Sequence, residues 1–488
     1  MNFIFLLGGL VLGWALGANN TADIFGTAVG TKMVKLRTAL VVASIFVILG
    51  AILQGSETTR SIGELGKINA IGGSFTVCLA TGLTVIWMTR AGFLVSITQA
   101  LVGGIVGWTI FSGDFLNVDS LGQILKAWVI APFIAFILAF IIYKVFQSSI
   151  NNMRANLFTI DYVYRLGFLL LGALGAFSFG ANNIANIVGV YIFSNPLKNL
   201  SLFGVEISAL HLLLFVGSLS IALGILTGSK KVIETVGSKI LKLSPLAGLV
   251  VVLTETLVLL LFSSNTIRSL LRLMHLPALP LVPISSSQVV IGAMMGIGVA
   301  RGAGRLVNFG VLKNIILAWI ITPLAAGFLS LVMLYFAQNV FQVTVRYPIR
   351  YVLDNAAMEK LERAGIPITA LHEFSGKVFP NGRTFKMEIQ KKGHYRSKEI
   401  NKIIEIARVD SIVVDSLKLN EIPKKWFTEG ELKEFKKLHG RTYVHSWQFY
   451  EELLNNEAFM VDTSRLEEVQ AFSKKMELLI FLFKHSYQ

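Results

Sequence analysis

Apolar residues in this chain come in long blocks. Residues 38–53, 125–146, 166–179, 208–227, 246–263 and 314–337 are almost free of charge. Most of these blocks approach the roughly 20 residues that a helix needs to cross about 30 Å of hydrocarbon. One such block could be a core helix of a soluble protein, but six in succession predict a polytopic membrane protein. The N-terminal block has little positive charge ahead of it and no small-residue cleavage site. It is expected to be a first membrane segment, not a removed signal peptide. The pattern ends near residue 341. Beyond it, residues 346–488 carry 24 Lys+Arg and 20 Asp+Glu, the composition of a soluble domain, whereas residues 1–345 carry only 20 and 9. Strand-like Arg408–Val414 and helical stretches at Glu429–Leu438 and Arg465–Phe483 make that tail a small α+β domain. Its scattered histidines (His372, His394, His439, His445, His485) read as surface residues.

Composition agrees with this division: 54% of residues are hydrophobic and 15% charged, with a mean hydropathy of +0.65. The formal net charge of +15 sits largely around the apolar blocks, where a basic excess marks cytoplasmic loops and not a nucleic-acid surface. Lys32, Lys35 and Arg37 fall in the first connection, Arg90 in the third, and Lys144, Arg154 and Arg165 at mid-chain; Lys230, Lys231, Lys239 and Lys242, then Arg301, Arg305 and Lys313, follow. The intervening connections are balanced or acidic, as with Asp114 and Asp119. This alternation puts the N-terminus outside with about five crossings per half. Only Arg268 and Arg272 fall on the wrong side, which suggests a helix lying on the membrane surface there. A single cysteine, Cys78, leaves no internal disulfide or cysteine-based metal site.

The membrane part repeats. Gly17-Ala18-Asn19-Asn20-Thr21-Ala22-Asp23-Ile24 returns in the later half as Gly180-Ala181-Asn182-Asn183-Ile184-Ala185-Asn186-Ile187. Val95-Ser96-Ile97-Thr98-Gln99 returns as Ile284-Ser285-Ser286-Ser287-Gln288, and Ala127-Trp128 with Pro132 as Ala318-Trp319 with Pro323. The three matches keep the same order and similar offsets. An odd number of crossings per repeat makes the repeats inverted, a plan common in secondary transporters. The expected organisation is therefore an all-α membrane protein of two inverted repeats with broken helices, 1–162 and 163–341, followed by a soluble α+β domain, 342–488.

Glycine and asparagine are poor helix formers, so the Gly-Ala-Asn-Asn clusters are expected to break their helices at membrane depth. Such a break is tolerated where a ligand or cavity meets the freed backbone groups. Freed N–H groups suit an anion, and carbonyls or Asn oxygens suit a small cation. Close packing through small residues would account for Gly17 or Gly26 but not for the paired asparagines. Asp23 and Glu255 are carboxylates within the membrane and mark functional sites by their cost. The hydroxyl clusters, Ser96, Thr98 and Gln99, and Ser285, Ser286, Ser287 and Gln288, precede Gly-studded apolar stretches. They can cap helices, and two capped ends brought together would offer many donors to a tetrahedral oxyanion.

These motifs resemble the inorganic phosphate transporter (PiT) family. GANNTADIFGTAVGTK and GANNIANIVG look like its duplicated Gly-x-Asn-Asp-x-Ala-Asn signature, and VSITQ and ISSSQ like its Val-Ser-x-Thr-His stretch. Gly228–Gly237 and Gly296–Gly302 are similar to the family as well. The resemblance covers residues 1–340 and not the tail. It implies symport of phosphate with sodium or protons. With no nucleophile–base pair, nucleotide loop or metal cluster in the sequence, no enzymatic activity and no cofactor beyond the coupling ion are expected. By position the resemblance places Asn20, Asp23, Asn183 and Asn186, with Glu255, at the coupling cation, sodium being a candidate at the first four. It places Asn19, Thr27, Ser96, Thr98, Gln99, Asn182, Ser285, Ser286, Ser287 and Gln288 at the anion. Asn20 and Asn183 stand where the family has aspartates, Asp23 where it has Asn, and Gln99 and Gln288 where it has histidines. Val47 stands where the first repeat commonly carries an acid. Fewer carboxylates imply weaker or fewer cation sites. Sulfate or a related oxyanion is the alternative cargo, a membrane sensor signalling through the tail is an alternative of another class, and a homo-oligomer is compatible with all of these.

The charge alternation is tested by cysteine scanning with an impermeant reagent in a Cys78→Ser background. Single cysteines in the Lys32–Arg37 and Lys230–Lys242 connections are expected to stay unlabelled from outside intact cells. Labelling of either one reverses the orientation.

Overall fold

The computed structural model describes residues 2–488 apart from 92, 94, 153–155, 203–204, 236–243, 303–308, 394, 416–418, 420–421, 423–425, 460–471, 473–474, 477–478, 481 and 484–488. Arg154, Lys239, Lys242 and Arg305 of the charge count, His394 and His485, and most of the expected helix at Arg465–Phe483 lie outside the described residues. The chain divides into two compact units: Met1–Phe111 with Leu116–Arg346, and Ser112–Phe115 with Tyr347–Gln488.

In the first unit the helices are α1 (Leu7–Gly30), α2 (Leu36–Gly66), α3 (Ile71–Arg90), α4 (Ile97–Ser112), α5 (Val118–Asn152), α6 (Leu157–Asn183), α7 (Ala185–Val188), α8 (Ala209–Thr235), α9 (Pro245–Ser263), α10 (Asn265–Leu273), α11 (Ser286–Ala300) and α12 (Phe309–Asn339). A short hairpin, β1 (Leu200–Leu202) with β2 (Val205–Ile207), precedes α8. Among the described residues, eight helices are long and apolar enough to cross a membrane, and α4 and α11 are apolar but shorter. The protein is thus a multi-pass integral membrane protein.

Hydrogen bonds between connections separate the two ends of this unit. Arg165, near the start of α6, donates to the carbonyls of Lys32 and Met33, both at 3.4 Å, so the basic connections after α1 and before α6 share one end. At the other end the Asn117 N–H, before α5, bonds the Leu65 carbonyl at 3.0 Å. Ser74, on the first turn of α3, donates to the Val190 carbonyl at 2.7 Å. Tyr191 donates to the Phe5 carbonyl and accepts from the Gly9 N–H, which brings the start of α1 to this same end. Helices α1 and α6, which carry the two copies of the asparagine motif, therefore run in opposite directions. That is what inverted repeats require. The chain leaves α12 at this second end, where the Val345 carbonyl accepts from the Trp108 indole at 3.3 Å.

The repeats are held together by glycines pressed against carbonyl oxygens. A Cβ on Gly17 of α1 would strike the Ile221 carbonyl of α8, and one on Gly224 of α8 the Trp14 carbonyl of α1. The equivalent contact joins α6 to α2: Gly180 faces the Val47 carbonyl and Gly50 the Phe177 carbonyl. Two further pairs follow the same plan. Gly103 and Gly107 of α4 face the Pro323 and Gly327 carbonyls of α12, and Gly292 and Gly296 of α11 face the Pro132 and Phe136 carbonyls of α5. Each pair joins a helix of one repeat to a helix of the other. In a bilayer, where apolar surface gains nothing by leaving lipid, this close backbone approach supplies the packing energy. Pro132 and Pro323 lie inside α5 and α12, where each leaves the carbonyl four residues earlier without its helical partner.

Two expectations change here. Helix α1 runs unbroken through Gly17–Asp23; its glycines serve helix contact, and its asparagine side chains bond outward instead of unwinding the backbone. The second copy departs from regular α-helix only at Ile184, within the motif, where the backbone keeps helical dihedrals and the Ile184 carbonyl accepts the Val188 N–H at 3.0 Å; α7 and a 3-10 segment, Gly189–Ser194, continue from it. The other breaks precede α4 and α11. Arg268 and Arg272 lie on α10, a short helix capped by Ser264 and unable to span, so the connection that broke the charge alternation is a short amphipathic helix.

The second unit pairs β3 (Tyr351–Val352) with β4 (Val378–Phe379) and β5 (Ile412–Val413) with β6 (Thr442–Tyr443), both antiparallel. Short helices, Asn355–Arg363, Gly382–Lys392, Ser397–Ala407, Glu429–Lys436 and Ser446–Leu454, pack around two small cores. The connection between α4 and α5 belongs to this unit. Phe115 packs against the first core, and the Gly113 carbonyl accepts from the Arg383 N–H at 3.1 Å. His445 is buried, not on the surface as its sequence context suggested: its Nδ1 lies 2.7 Å from the Arg408 carbonyl and its ring stacks on Trp447.

Because the glycine contacts are backbone to backbone, no side-chain rotation relieves a methyl group there. Gly50→Ala and Gly224→Ala are each expected to destabilise the protein by about 1–3 kcal/mol. Gly298→Ala, where a Cβ meets open space, should gain up to about 1 kcal/mol of helix propensity. Thermal melting of the three purified variants in detergent checks this, and equal melting temperatures would contradict the contact.

Candidate functional site

The short helices α4 and α11 start inside the membrane unit. A helix as short as α4 rises only about 24 Å, and the residues opening both helices are buried: Ser96, Thr98 and Gln99 on one, Ser285, Ser286 and Gln288 on the other. The two starts meet. Thr98 Oγ1 donates to the carbonyl of Ile284, two residues before α11, at 3.5 Å. Each start is capped as its sequence predicts. Ser96 Oγ accepts the Gln99 N–H at 3.3 Å, and Ser285 Oγ accepts the Gln288 N–H at 3.4 Å while lying 3.0 Å from Ser287 Oγ. A serine cap satisfies one orphan amide and leaves others of the first turn free. Two positive helix ends and their hydroxyls thus point into one buried region, an arrangement suited to an anion.

The asparagine motifs approach this region from two sides. Asn20 Nδ2 donates to Ser286 Oγ at 2.7 Å, and Ser286 Oγ donates in turn to Asp23 Oδ2 at 3.2 Å. Asn19 Nδ2 supports Asn20 from behind, donating to its Oδ1 at 3.3 Å. On the other side Asn186 Nδ2 donates to Thr98 Oγ1 at 3.1 Å and to Asn183 Oδ1 at 3.2 Å, while Asn183 Nδ2 returns to the Phe179 carbonyl. Each motif therefore reaches the hydroxyl cluster of the opposite repeat. Asn182 does something else. Its Oδ1 accepts the Ile284 N–H at 3.0 Å and its Nδ2 donates to the Val282 carbonyl at 3.4 Å, so it clamps the extended segment that leads into α11.

Glu255, in the middle of α9, is buried, and neither carboxylate oxygen has a hydrogen-bond partner; the neighbouring Thr254 Oγ1 has none either. Helix α9 lies against α1 through Gly248, which faces the Thr27 methyl, and against α6 through Thr256, which faces Gly175. Thr27 is one turn beyond Asp23, and its described packing is against α9, apart from the hydroxyl clusters.

Besides the oxygens of Glu255 and Thr254, three side-chain oxygens end here buried and unpartnered: Gln99 Oε1, Gln288 Oε1 and Asn186 Oδ1. Such oxygens, with the Asp23 carboxylate, are ligands of the type small hard cations take. Sequence reasoning named all three residues but passed over two donors. The indole Nε1 atoms of Trp128 and Trp319 are also buried without partners. The signal was available, since the two tryptophans recur one helical turn before the repeated prolines.

Residues 16–330 match the phosphate transporter family. A protein of Thermococcus kodakarensis, provisionally named a phosphate permease, is 25% identical over 402 residues, covering 67% of this chain and 95% of its own length. A provisionally named phosphate permease of Haemophilus influenzae is 26% identical over 417 residues, covering 68% of this chain and 96% of its own length. Among solved structures, a sodium-dependent phosphate transporter superposes with a TM-score of 0.55 at 22% identity, covering 69% of this chain and 98% of its own, which establishes the shared fold. The chain belongs to the phosphate transporter family, and it is a membrane transporter, not an enzyme.

Proposed function

We infer that the protein carries phosphate across the membrane together with a cation. The observation that carries the reading is the meeting of two capped helix starts in the core, each met by an asparagine motif from the opposite repeat. Phosphate binds where the free first-turn amides of α4 and α11 and the hydroxyls of Thr98, Ser286 and Ser287 converge. The cation supplies the charge balance. Entry against an inside-negative potential opposes each net negative charge by about 2.3 kcal/mol per 100 mV, and a bound cation removes that opposition. Asp23 is the carboxylate closest to this task, because it shares Ser286 with the anion region. Asn20, Asn183 and Asn186 add neutral oxygens. Glu255, buried with both oxygens unpartnered, takes either a cation or a proton. The sodium dependence of the solved neighbour supports sodium.

Ser286 differs from Ser285 in what it bonds, so the two can be separated. Ser285→Ala removes a cap and should cost about 1 kcal/mol of stability with little change in transport affinity. Ser286→Ala breaks the Asn20–Ser286–Asp23 chain and should weaken the half-saturation for phosphate by about tenfold, roughly 1.4 kcal/mol. Equal effects of both variants on uptake by proteoliposomes would reduce Ser286 to a cap as well.

Coupling is tested by driving phosphate uptake separately with a sodium gradient and with a proton gradient. Asp23→Asn is expected to abolish accumulation above equilibrium while leaving phosphate exchange. Glu255→Gln should remove only the dependence on whichever ion Glu255 serves. Full gradient-driven accumulation by Asp23→Asn would make that carboxylate structural.

A further inference from the structure

The second unit is itself a duplication, and its two copies differ in what they hold. In the first copy β3 pairs with β4 and a short helix follows; in the second β5 pairs with β6 and a short helix follows. The match extends to single bonds. The Gly376 N–H bonds the Leu353 carbonyl at 2.9 Å, and the Gly440 N–H bonds the Val414 carbonyl at 2.9 Å; both glycines are left-handed, at φ 70° and 82°. Asn381 and His445 take the N-cap positions of the two helices. The fourth and eighth residues beyond each cap are buried, Phe385 and Ile389 in one copy and Phe449 and Leu453 in the other. On this alignment Gly382 corresponds to Ser446. In the second copy the helix start is met by the chain that joins the copies: Ser446 Oγ donates to Asp410 Oδ2 at 3.3 Å, and the Trp447 indole to the Ile406 carbonyl at 2.9 Å. In the first copy the corresponding place is met by the α4–α5 connection. The Arg383 N–H bonds the Gly113 carbonyl at 3.1 Å, Lys386 Nζ lies 5.7 Å from the centre of the Phe115 ring, and a Cβ on Gly382 would overlap that ring.

We propose that the tail is a brake on transport: its first copy is a receptor for the α4–α5 connection, in which Phe115 is the peg and Gly382 leaves the socket open. The inference rests on the transport reading above. Helix α4 is paired through its glycines with α12, and α11 with α5, while the starts of α4 and α11 meet at the anion region. Passing an anion from one side to the other needs these two pairs to move against each other, and the α4–α5 connection is a joint between them. Unheld, residues 113–117 form a loop that flexes along its whole length. Held at Gly113 and Phe115, the joint keeps only Leu116 and Asn117, and the Asn117 N–H is itself bonded to the Leu65 carbonyl at 3.0 Å. A shorter joint opposes the movement, so freeing the peg speeds the exchange between facing states and leaves the anion's own contacts as they were. A packing role alone would change stability and not rate.

The test is phosphate uptake by proteoliposomes containing the full chain, with hydrogen exchange of the same variants read by mass spectrometry. Gly382→Ala adds one methyl group where the Phe115 ring lies, and Phe115→Ala removes the ring. Each should raise the maximal rate about threefold, as easing a rate-limiting conformational step does, with the half-saturation for phosphate unchanged. Each should also speed exchange at residues 112–117 and at the Arg383 amide about tenfold, while slow exchange across Ser397–Ala407 shows the copy still folded. Gly430→Ala, in the second copy, where a Cβ meets nothing closer than 4.0 Å, should match wild type in both readings. A freed connection with an unchanged or lower maximal rate overturns the brake. Exchange unchanged in both Gly382→Ala and Phe115→Ala overturns the peg. A wild-type protein that takes up no phosphate would instead overturn the transport reading, and the exchange data would still decide the peg.

Discussion

Everything in the membrane unit hangs on glycine hydrogens lying against carbonyl oxygens of the opposite repeat. Lipid offers no hydrophobic gain for helix association, so the energy has to come from close backbone approach and the weak Cα–H···O contacts it allows. Four helix pairs use the device between repeats: α1 with α8, α2 with α6, α4 with α12 and α5 with α11. These four pairs all cross between repeats, so each ties one repeat to the other. The contacts also fix register. A helix whose glycines meet particular carbonyls can neither slide nor rotate, so the side chains one turn away, including Gln99 and Trp319, are placed by the same contact.

That rigidity lets two helices begin in the interior. The start of a helix in hydrocarbon exposes amides that lipid cannot satisfy. Here the starts of α4 and α11 are stabilised by serine caps, by the Asn182 clamp on residues 282–284 and by the hydroxyl contacts between repeats. What these leave free is a concentrated set of donors with carboxylate and amide oxygens beside it, which is the chemistry an anion and its counter-cation require together.

Much of this was legible in the sequence because internal repeats leave two independent copies of each signal. The blocks, the alternation of basic connections, the three repeated motifs and the family resemblance together located the helices and the residues that meet at α4 and α11. The reading of Gly-Ala-Asn-Asn as a helix breaker overstated both copies: α1 is continuous through it, and the second copy keeps helical dihedrals at Ile184. Propensity alone cannot say whether a glycine serves backbone freedom or backbone contact, and Gly17 serves contact. The burial of His445 was invisible for another reason: it follows from packing between segments that are distant in sequence.

The two halves of the site are built alike but not charged alike. Asn20 and Asp23 meet Ser286, while Asn183 and Asn186 meet Thr98; one half carries a carboxylate and its counterpart an amide. If the repeats of an inverted pair were identical, exchanging their conformations would turn an outward-facing molecule into an inward-facing one of the same energy. A single formal charge on one side removes that degeneracy. The two facing states of this protein are therefore not bound by symmetry to equal energies, and the difference is written in which of two equivalent positions, 23 or 186, bears the acid.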